Sequence, residues 1–367
     1  MSSRSAIDII VVNYRSASDV ITALAPLLPW QHGCVWVVEN TEDSLEADYL
    51  REKLSDHIRL LTPTVNLGFG KGCNLAFDSS TAPYIFLLNP DARIKERDIL
   101  LLAEEMDCMS CWGALAPATF WDPEHRFLIP SLLPETPTVW AALSLANKHP
   151  CFARLLFSFY LKWQQRLMSA KGVSVVDFLS GSVMLVRREA ALRSGGLFDP
   201  RYFMFYEDAD LSQRLRHRGY KLGILPKARS VHEWRNKPFK LHLMAESGQI
   251  YRSLHFPLTS KIRIPLNLFG RALCQPNSHQ WSTDLGSLNG PAELNARLKG
   301  RGVMALSPNR AGIPAIFRPA GTPPAIFEKE DWSRLEPGTY TIVCGEMDKI
   351  RKIQYWMTFK KMDRRPA

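Results

Sequence analysis

No uninterrupted apolar run in this 367-residue chain reaches the roughly 18 residues needed to cross a bilayer, so any membrane contact is expected to be peripheral. The first apolar segment, Ile7 to Val12, is too short for a secretory signal core with a cleavage site, and the chain is expected to stay in the cytoplasm. Cysteine is scarce and irregular: seven residues, an odd number, fit a reducing compartment and mostly buried thiols. Cys108 and Cys111 form a lone Cys-x-x-Cys with no second pair nearby, which argues against a zinc or redox centre. Internal repeats are also missing. What the chain has is a hydrophobic content of 46%, enough for a full core, and a net charge of +10 that favours anionic partners: phosphates, diphosphates, lipid headgroups or nucleic acid.

The first hundred residues alternate apolar runs with amphipathic stretches. Ile7–Val12, Cys34–Val38, Ile58–Leu61 and Tyr84–Leu88 read as strands, and such alternation predicts an α/β fold with a mostly parallel sheet flanked by helices. Asn13, Glu39, Asn40, Asn89 and Asp91 follow the carboxyl ends of three of these runs, where parallel sheets bind ligands, and should line one crevice. Pro117 to Pro137 reads as an irregular crossing. Cys151–Met168 fits a helix with Phe152, Leu155, Leu156, Phe159, Trp163 and Leu167 on one stripe and Arg154, Lys162 and Arg166 largely off it. A strand over Val175–Val186, a short helix ending at Gly195-Gly196, and a strand Lys221–Leu225 closed by a turn at Pro226 are expected next. Residues 1–255 are expected to form the main domain, with a helical insertion at about 138–172. Residues 256–367 are expected to form a small accessory region with β content.

Phe203 to Leu211 crowds Glu207, Asp208 and Asp210 against aromatic and thioether side chains. Poorly solvated, mutually repelling acids of this kind can act as bases, although Asp and Glu also favour helix starts, and Leu211, Arg214 and Leu215 continue with helical spacing. Asn66 to Asn74 carries Gly68, Gly70 and Gly72 ahead of a helix, with Asp91 following at the next strand's end. This imitates a dinucleotide fingerprint, but Cys73 stands at the third glycine position, and the glycines suit any ligand phosphate or sugar needing close backbone approach. Asn89-Pro90-Asp91-Ala92-Arg93 reads either as a proline turn or as a hard-cation site completed by a substrate diphosphate. His232, taken alone, reads as a packed or surface residue.

Together these segments resemble the family-two glycosyltransferases of the GT-A fold, bacterial rhamnosyltransferase-like branch. The pieces are Ile9–Tyr14, Val37–Asn40, Asn66–Gly70 with Asn74, Leu88–Ala92, Phe178–Ser182, Gly195–Asp199, Glu207–Leu211 and His232, in the family's order. The stretch from Trp112 to Ser174 matches poorly, and the C-terminal part is not covered. The resemblance implies a nucleotide-sugar donor held by Asn13, Tyr14, Glu39, Asn40, Gly68, Gly70, Asn74, Asn89 and Arg93. Glu39 stands where an Asp commonly contacts the pyrimidine. It implies Mg²⁺ or Mn²⁺ at Asp91 and His232, with Asn89 replacing the first carboxylate of an Asp-x-Asp motif. It implies Asp208 as the base of an inverting, metal-dependent displacement, with Ser180, Gly181, Ser182 and Glu207 near the sugar or acceptor. Asp199 is read as structural.

The implied reaction moves L-rhamnose from dTDP-L-rhamnose to a saccharide or polyprenyl-diphosphate-linked acceptor in bacterial surface polysaccharide synthesis. The alternative is a non-catalytic sugar-nucleotide or glycan-binding protein of the same fold. No motif supports nucleic-acid binding. The stripe at Cys151–Met168 and the run Leu254–Arg271 are expected either to rest on the inner face of the cytoplasmic membrane or to pack on the main domain.

Overall fold

The first apolar runs are buried on both faces, as covered parallel strands must be. In the computed structural model, β1 (Ile7–Asn13), β2 (Val35–Glu39) and β4 (Tyr84–Leu88) are buried at every position. Ile9 and Val11 enter one core and Ile10 and Val12 the other, following the two-residue period of a strand. The buried Asp8 accepts from Cys34 N, Trp36 Nε1 and Ser80 Oγ at 2.7–2.8 Å, so its charge is solvated by the fold. The structure describes residues 6–54, 56–131, 133–233, 241–257, 282–299, 301–309, 311–319, 327–345 and 355–362.

The main sheet has nine strands. With β3 (Arg59–Leu61), β5 (Ala92–Ile94), β6 (Trp112–Phe120), β7 (Ser174–Val176), β8 (Val183–Arg187) and β9 (Lys221–His232), its order is β3-β2-β1-β4-β8-β6-β9-β5, and β7 also pairs with β9. The β3-β2-β1-β4 half is parallel; β8 then runs antiparallel to both β4 and β6, and β9 pairs parallel with β6 and antiparallel with β5. Helices α1 (Ala17–Leu24), α2 (Ser44–Leu54), α3 (Gly68–Ser79), α4 (Glu96–Cys108), α7 (Arg188–Arg193) and α8 (Glu207–His217) flank it.

Three local expectations are revised. Val175–Val186 is two strands, β7 and β8, because the intervening backbone is held from outside the ladder: Gly181 N donates to Asp208 Oδ2 at 3.0 Å and Leu179 N to Ser212 Oγ at 3.2 Å. Pro226 does not end its strand; the β6–β9 pairing passes from Leu225 to Arg229 across a register shift, which absorbs the missing proline N–H. The stretch from Pro117 is ordered as β6 up to Phe120 and becomes irregular beyond it.

Helices α5 (Pro137–Lys148) and α6 (Pro150–Ser169) follow, and α9 (Leu241–His255) comes after β9. The C-terminal part carries α10 (Pro291–Leu298), α11 (Lys329–Arg334) and a five-stranded sheet. Its strands are β10 (Thr283–Leu288), β11 (Val303–Ser307), β12 (Ile316–Phe317), β13 (Gly338–Cys344) and β14 (Tyr355–Lys361), in the order β10-β14-β13-β11-β12. This unit packs on α6: Ala153, Phe157, Tyr160 and Leu161 share a core with Met304, Ala305, Phe317 and Trp356. Arg126, beyond β6, binds the fully buried Asp122 and Asp331 and also Glu328, at 2.7–3.0 Å, and staples the two units. The buried side of α6 is therefore Ala153-Phe157-Tyr160-Leu161-Gln164-Leu167, rotated from the expected stripe. Leu155 and Phe159 are left 53% and 62% exposed. Of the run Leu254–Arg271, residues 258–271 lie outside the described residues. Among the described residues no helix is long and apolar enough to cross a membrane.

Candidate active site

The three crowded carboxylates have three different environments. Asp210 accepts from Arg214 Nε at 2.6 Å and contacts His255 Nε2 at 2.8 Å, and the rest of the Arg214 guanidinium holds the carbonyls of Ser194, Gly196 and Leu197. It is a structural clamp. Glu207 is buried against α3: its Cβ lies 3.7 Å from where a Gly70 Cβ would stand, and its charge reaches the buried Cys73 thiol. Glu207 Oε2 has no partner, and burial pushes its pKa well above the usual carboxylate range. Placed near the acceptor by the resemblance, Glu207 thus points into the protein.

Asp208 remains. Its carboxylate accepts from Gly181 N at 3.0 Å and Ala209 N at 2.8 Å, yet burial outweighs these bonds and pushes the pKa up to about 6. It is presented by two consecutive left-handed residues, Phe205 (φ 70°) and Tyr206 (φ 65°), each costing on the order of 1–3 kcal/mol. Packing holds the strain: the Tyr206 ring lies tilted 5.4 Å from that of Tyr251, and Ser247 Oγ donates to Met204 O at 2.7 Å.

Asp91 and His232 are 141 residues apart in sequence and adjacent in the fold. The β5–β9 ladder pairs Ala92 with His232, and His232 Nε2 lies 3.1 Å from Asp91 Oδ1. Two cis ligands of an octahedral ion at about 2.1 Å are about 3.0 Å apart, so this spacing fits Mg²⁺ or Mn²⁺ with further oxygens from a diphosphate. Among the described residues no three His, Cys, Asp or Glu side chains gather at one point. Asn89 N donates to Ser182 O at 2.8 Å, which sets the Asp91 tip against the loop that holds Asp208.

The residues expected at the donor divide sharply. Tyr14 is 47% exposed, with the Arg15 guanidinium 5.5 Å from its ring. Asn13 is fully buried and spent on Glu39, Glu46 and Ser16, while Glu39 accepts from Asn13 and Thr41 N. Asn40 braces the 66–68 turn by bonds to Asn66 Oδ1, Gly68 O and Leu67 N. Gly68 has φ +75°, and a Cβ there would stand 2.2 Å from Phe203 O; the close approach it permits is to the acidic loop, as is that of Gly70 to Tyr202 O. Asn74 exchanges bonds with both backbone groups of Phe198, at 2.7 and 3.0 Å. These groups seat the loop that carries Asp208. One Arg93 nitrogen is turned to the Pro90 and Ala92 carbonyls, 2.7 Å each. Asp199, read as structural, is held by Arg201.

A cavity of about 120 Å³ opens beside His232, Ser180 and Ser182 and is walled by Pro117, Leu128, Ile129, Ser131, Met168 and Val183 among others. Sequence reading missed Ser131 and Met168, which lie in the stretch with poor family match. It also missed Glu135, whose carboxylate accepts from Trp140 Nε1 and raises the Asp208 pKa further, with Arg252 over the Trp140 ring at 5.8 Å. A lone Glu or Ser in an irregular segment carries no signal of its own.

No protein-family profile matches the chain. The N-acetylglucosaminyl-diphospho-decaprenol L-rhamnosyltransferase of Mycobacterium tuberculosis is 32% identical over 190 residues, covering 48% of this chain and 59% of that protein. Rhamnosyltransferase WbbL of Escherichia coli K12 is 28% identical over 193 residues, covering 48% and 67%. Over about half its length the chain is similar to these bacterial rhamnosyltransferases. The match spans about three-fifths of the Mycobacterium relative's length. A mannosyltransferase from Pyrobaculum calidifontis, solved with GDP-Man and Mn²⁺, aligns at a TM-score of 0.43 with 14% identity, covering 74% of this chain and 76% of that one.

Proposed function

We propose that the protein is an inverting glycosyltransferase that moves L-rhamnose from dTDP-L-rhamnose to a saccharide or polyprenyl-diphosphate-linked acceptor in bacterial surface polysaccharide synthesis. The observation that carries this reading is the placement of Asp208: it is the one carboxylate of its cluster not turned into the protein or paired, and it is joined through Gly181, Ser182 and Asn89 to the Asp91–His232 pair. Asp208 takes the acceptor's hydroxyl proton as that oxygen bonds to the anomeric carbon. The bond from that carbon to the diphosphate breaks on the opposite face, and its electron pair leaves with the diphosphate. Gly181 N and Ala209 N hold the carboxylate in place, and exposed Tyr14 offers a ring for the base. A divalent ion held by Asp91 and His232 offsets the charge on the leaving diphosphate when bound. Incubating the protein with common sugar nucleotides and Mn²⁺ should release nucleoside diphosphate fastest from dTDP-L-rhamnose. Release from none of them, with or without candidate acceptors, would remove glycosyl transfer from the account.

Exposed Leu155 and Phe159 lie on α6 near exposed Arg154 and Arg166, a footprint suited to an anionic membrane face where a polyprenyl-linked acceptor would reside. Vesicles with anionic lipid should retain the protein at low salt and release it as salt screens the charge. A Leu155→Ser/Phe159→Ser double variant should bind at least about tenfold more weakly, the loss of roughly two apolar side chains. Undetectable binding of the unaltered protein would end the membrane proposal.

A further inference from the structure

Tyr206, the second of the two left-handed residues ahead of Asp208, stands at the cap of α8 without a side-chain cap bond, so its place depends on what surrounds its ring. Helix α9 closes one side: a Cβ at Gly248 would stand 3.2 Å from the ring, and Tyr251 lies against it. The hydroxyl end is met by a different segment. It is hydrogen-bonded to the carboxylate of Glu135, which also accepts from Trp140 Nε1. The local sequence puts that carboxylate there. Thr136 caps α5, its hydroxyl accepting from Val139 N at 3.4 Å, and Pro137 opens the helix, so Glu135 precedes the cap and Trp140 is the fourth helical residue. Those two positions lie side by side at a helix start, where an apolar pair commonly packs. Here the pair is polar, and a carboxylate that holds one indole N–H keeps room for the Tyr206 hydroxyl. Arg252 completes the group, with its guanidinium 5.8 Å from the Trp140 ring and its charge acting on Glu135.

We propose that Glu135 is a positioning residue for the base: by holding the Tyr206 hydroxyl it fixes the turn that aims Asp208, so the segment opening α5 belongs to the catalytic apparatus. This rests on the glycosyl-transfer reading above. The physical basis is that a base must lie within hydrogen-bond reach of the proton it takes, and about 1 Å of misplacement costs about 10²-fold. Tyr206 is two residues from Asp208, so a shift of its ring is carried to the carboxylate. In that reading the diphosphate is held at the β5–β9 rung, and the effect therefore falls on turnover and not on donor binding.

The test measures turnover of the fastest sugar nucleotide of the screen above, with Mn²⁺, in Tyr206→Phe, Glu135→Ala, the double variant and Glu135→Gln. Tyr206→Phe and Glu135→Ala should each lower kcat at least about tenfold and leave the donor KM within about twofold. The double variant should match the slower single variant within about twofold, because both changes break the same link. Glu135→Gln, whose amide oxygen still accepts from Tyr206 and Trp140, should recover most of the loss. A kcat for Tyr206→Phe within about twofold of the unaltered protein overturns the proposal. So do losses that multiply in the double variant, or a change in KM without one in kcat. If Glu135→Ala melts early, Tyr206→Phe, which keeps both the ring and the carboxylate, decides alone. Each of these outcomes, with the unaltered protein active, leaves the glycosyl-transfer reading standing. Turnover of no donor by the unaltered protein overturns that reading, and this inference with it.

Discussion

Asp208→Asn is expected to lower transfer by about 10²–10⁴-fold while leaving donor affinity within about twofold. The amide keeps the shape of the carboxylate but cannot accept the acceptor's proton, and the proposed mechanism holds the donor's diphosphate elsewhere, at the β5–β9 rung. The same residue is expected to set the pH dependence. Burial pushes its pKa up to about 6, and a base works only when ionised. Activity should therefore be full above about pH 7 and fall about tenfold per unit as pH drops below 6. An unperturbed Asp, near 3.9, would place that fall about two units lower. Retention of transfer within about tenfold in the variant, a barrier change of only ~1.4 kcal/mol, would show that another group takes the proton.

The second large effect is expected at the cation pair. Asp91→Ala should reduce donor turnover by at least about 10²-fold, on the scale of losing one group that stabilises developing charge. His232→Ala should cost less, because the neutral imidazole brings no charge to the ion. Excess EDTA should reproduce the loss, and Mn²⁺ or Mg²⁺ should restore it in the unaltered protein but not in Asp91→Ala. Full turnover in EDTA would remove the ion from the account and leave the 3.1 Å Asp91–His232 contact as an ordinary strand-end hydrogen bond.

The strands were legible because buried parallel strands are continuous apolar runs, and β4 falls on the expected residues, Tyr84–Leu88. The acidic segment was legible as a crowded helix start but not as three separate roles. Only the Asp210–Arg214 pair could be read locally, from its four-residue spacing; His255 lies 45 residues away, and the packing of Glu207 against Gly70 depends on how α3 docks. Asn40, Gly68, Gly70 and Asn74 look like ligand-binding residues because small and amide side chains suit phosphates and sugars. They equally suit one loop packed tightly on another, and sequence does not distinguish the two. The rotation of α6 was hidden for a related reason: the surface that buries Phe157 and Tyr160 comes from strands some 150 to 200 residues later. The buried Gln164, in the middle of an apolar face, was a signal that periodicity alone passes over: it accepts from Ser131 N and donates to Ser131 O.

The central claim, that Asp208 is the base, is tested most directly by the pH profile of kcat/KM for dTDP-L-rhamnose turnover, measured for the unaltered protein and for Asp208→Asn under identical metal conditions. The account predicts an acidic limb of unit slope breaking near pH 6 in the unaltered protein, and a residual rate in the variant that lacks this break. A variant whose rate still falls through pH 6 with the same slope, or an unaltered protein whose rate is flat down to pH 4, would contradict it.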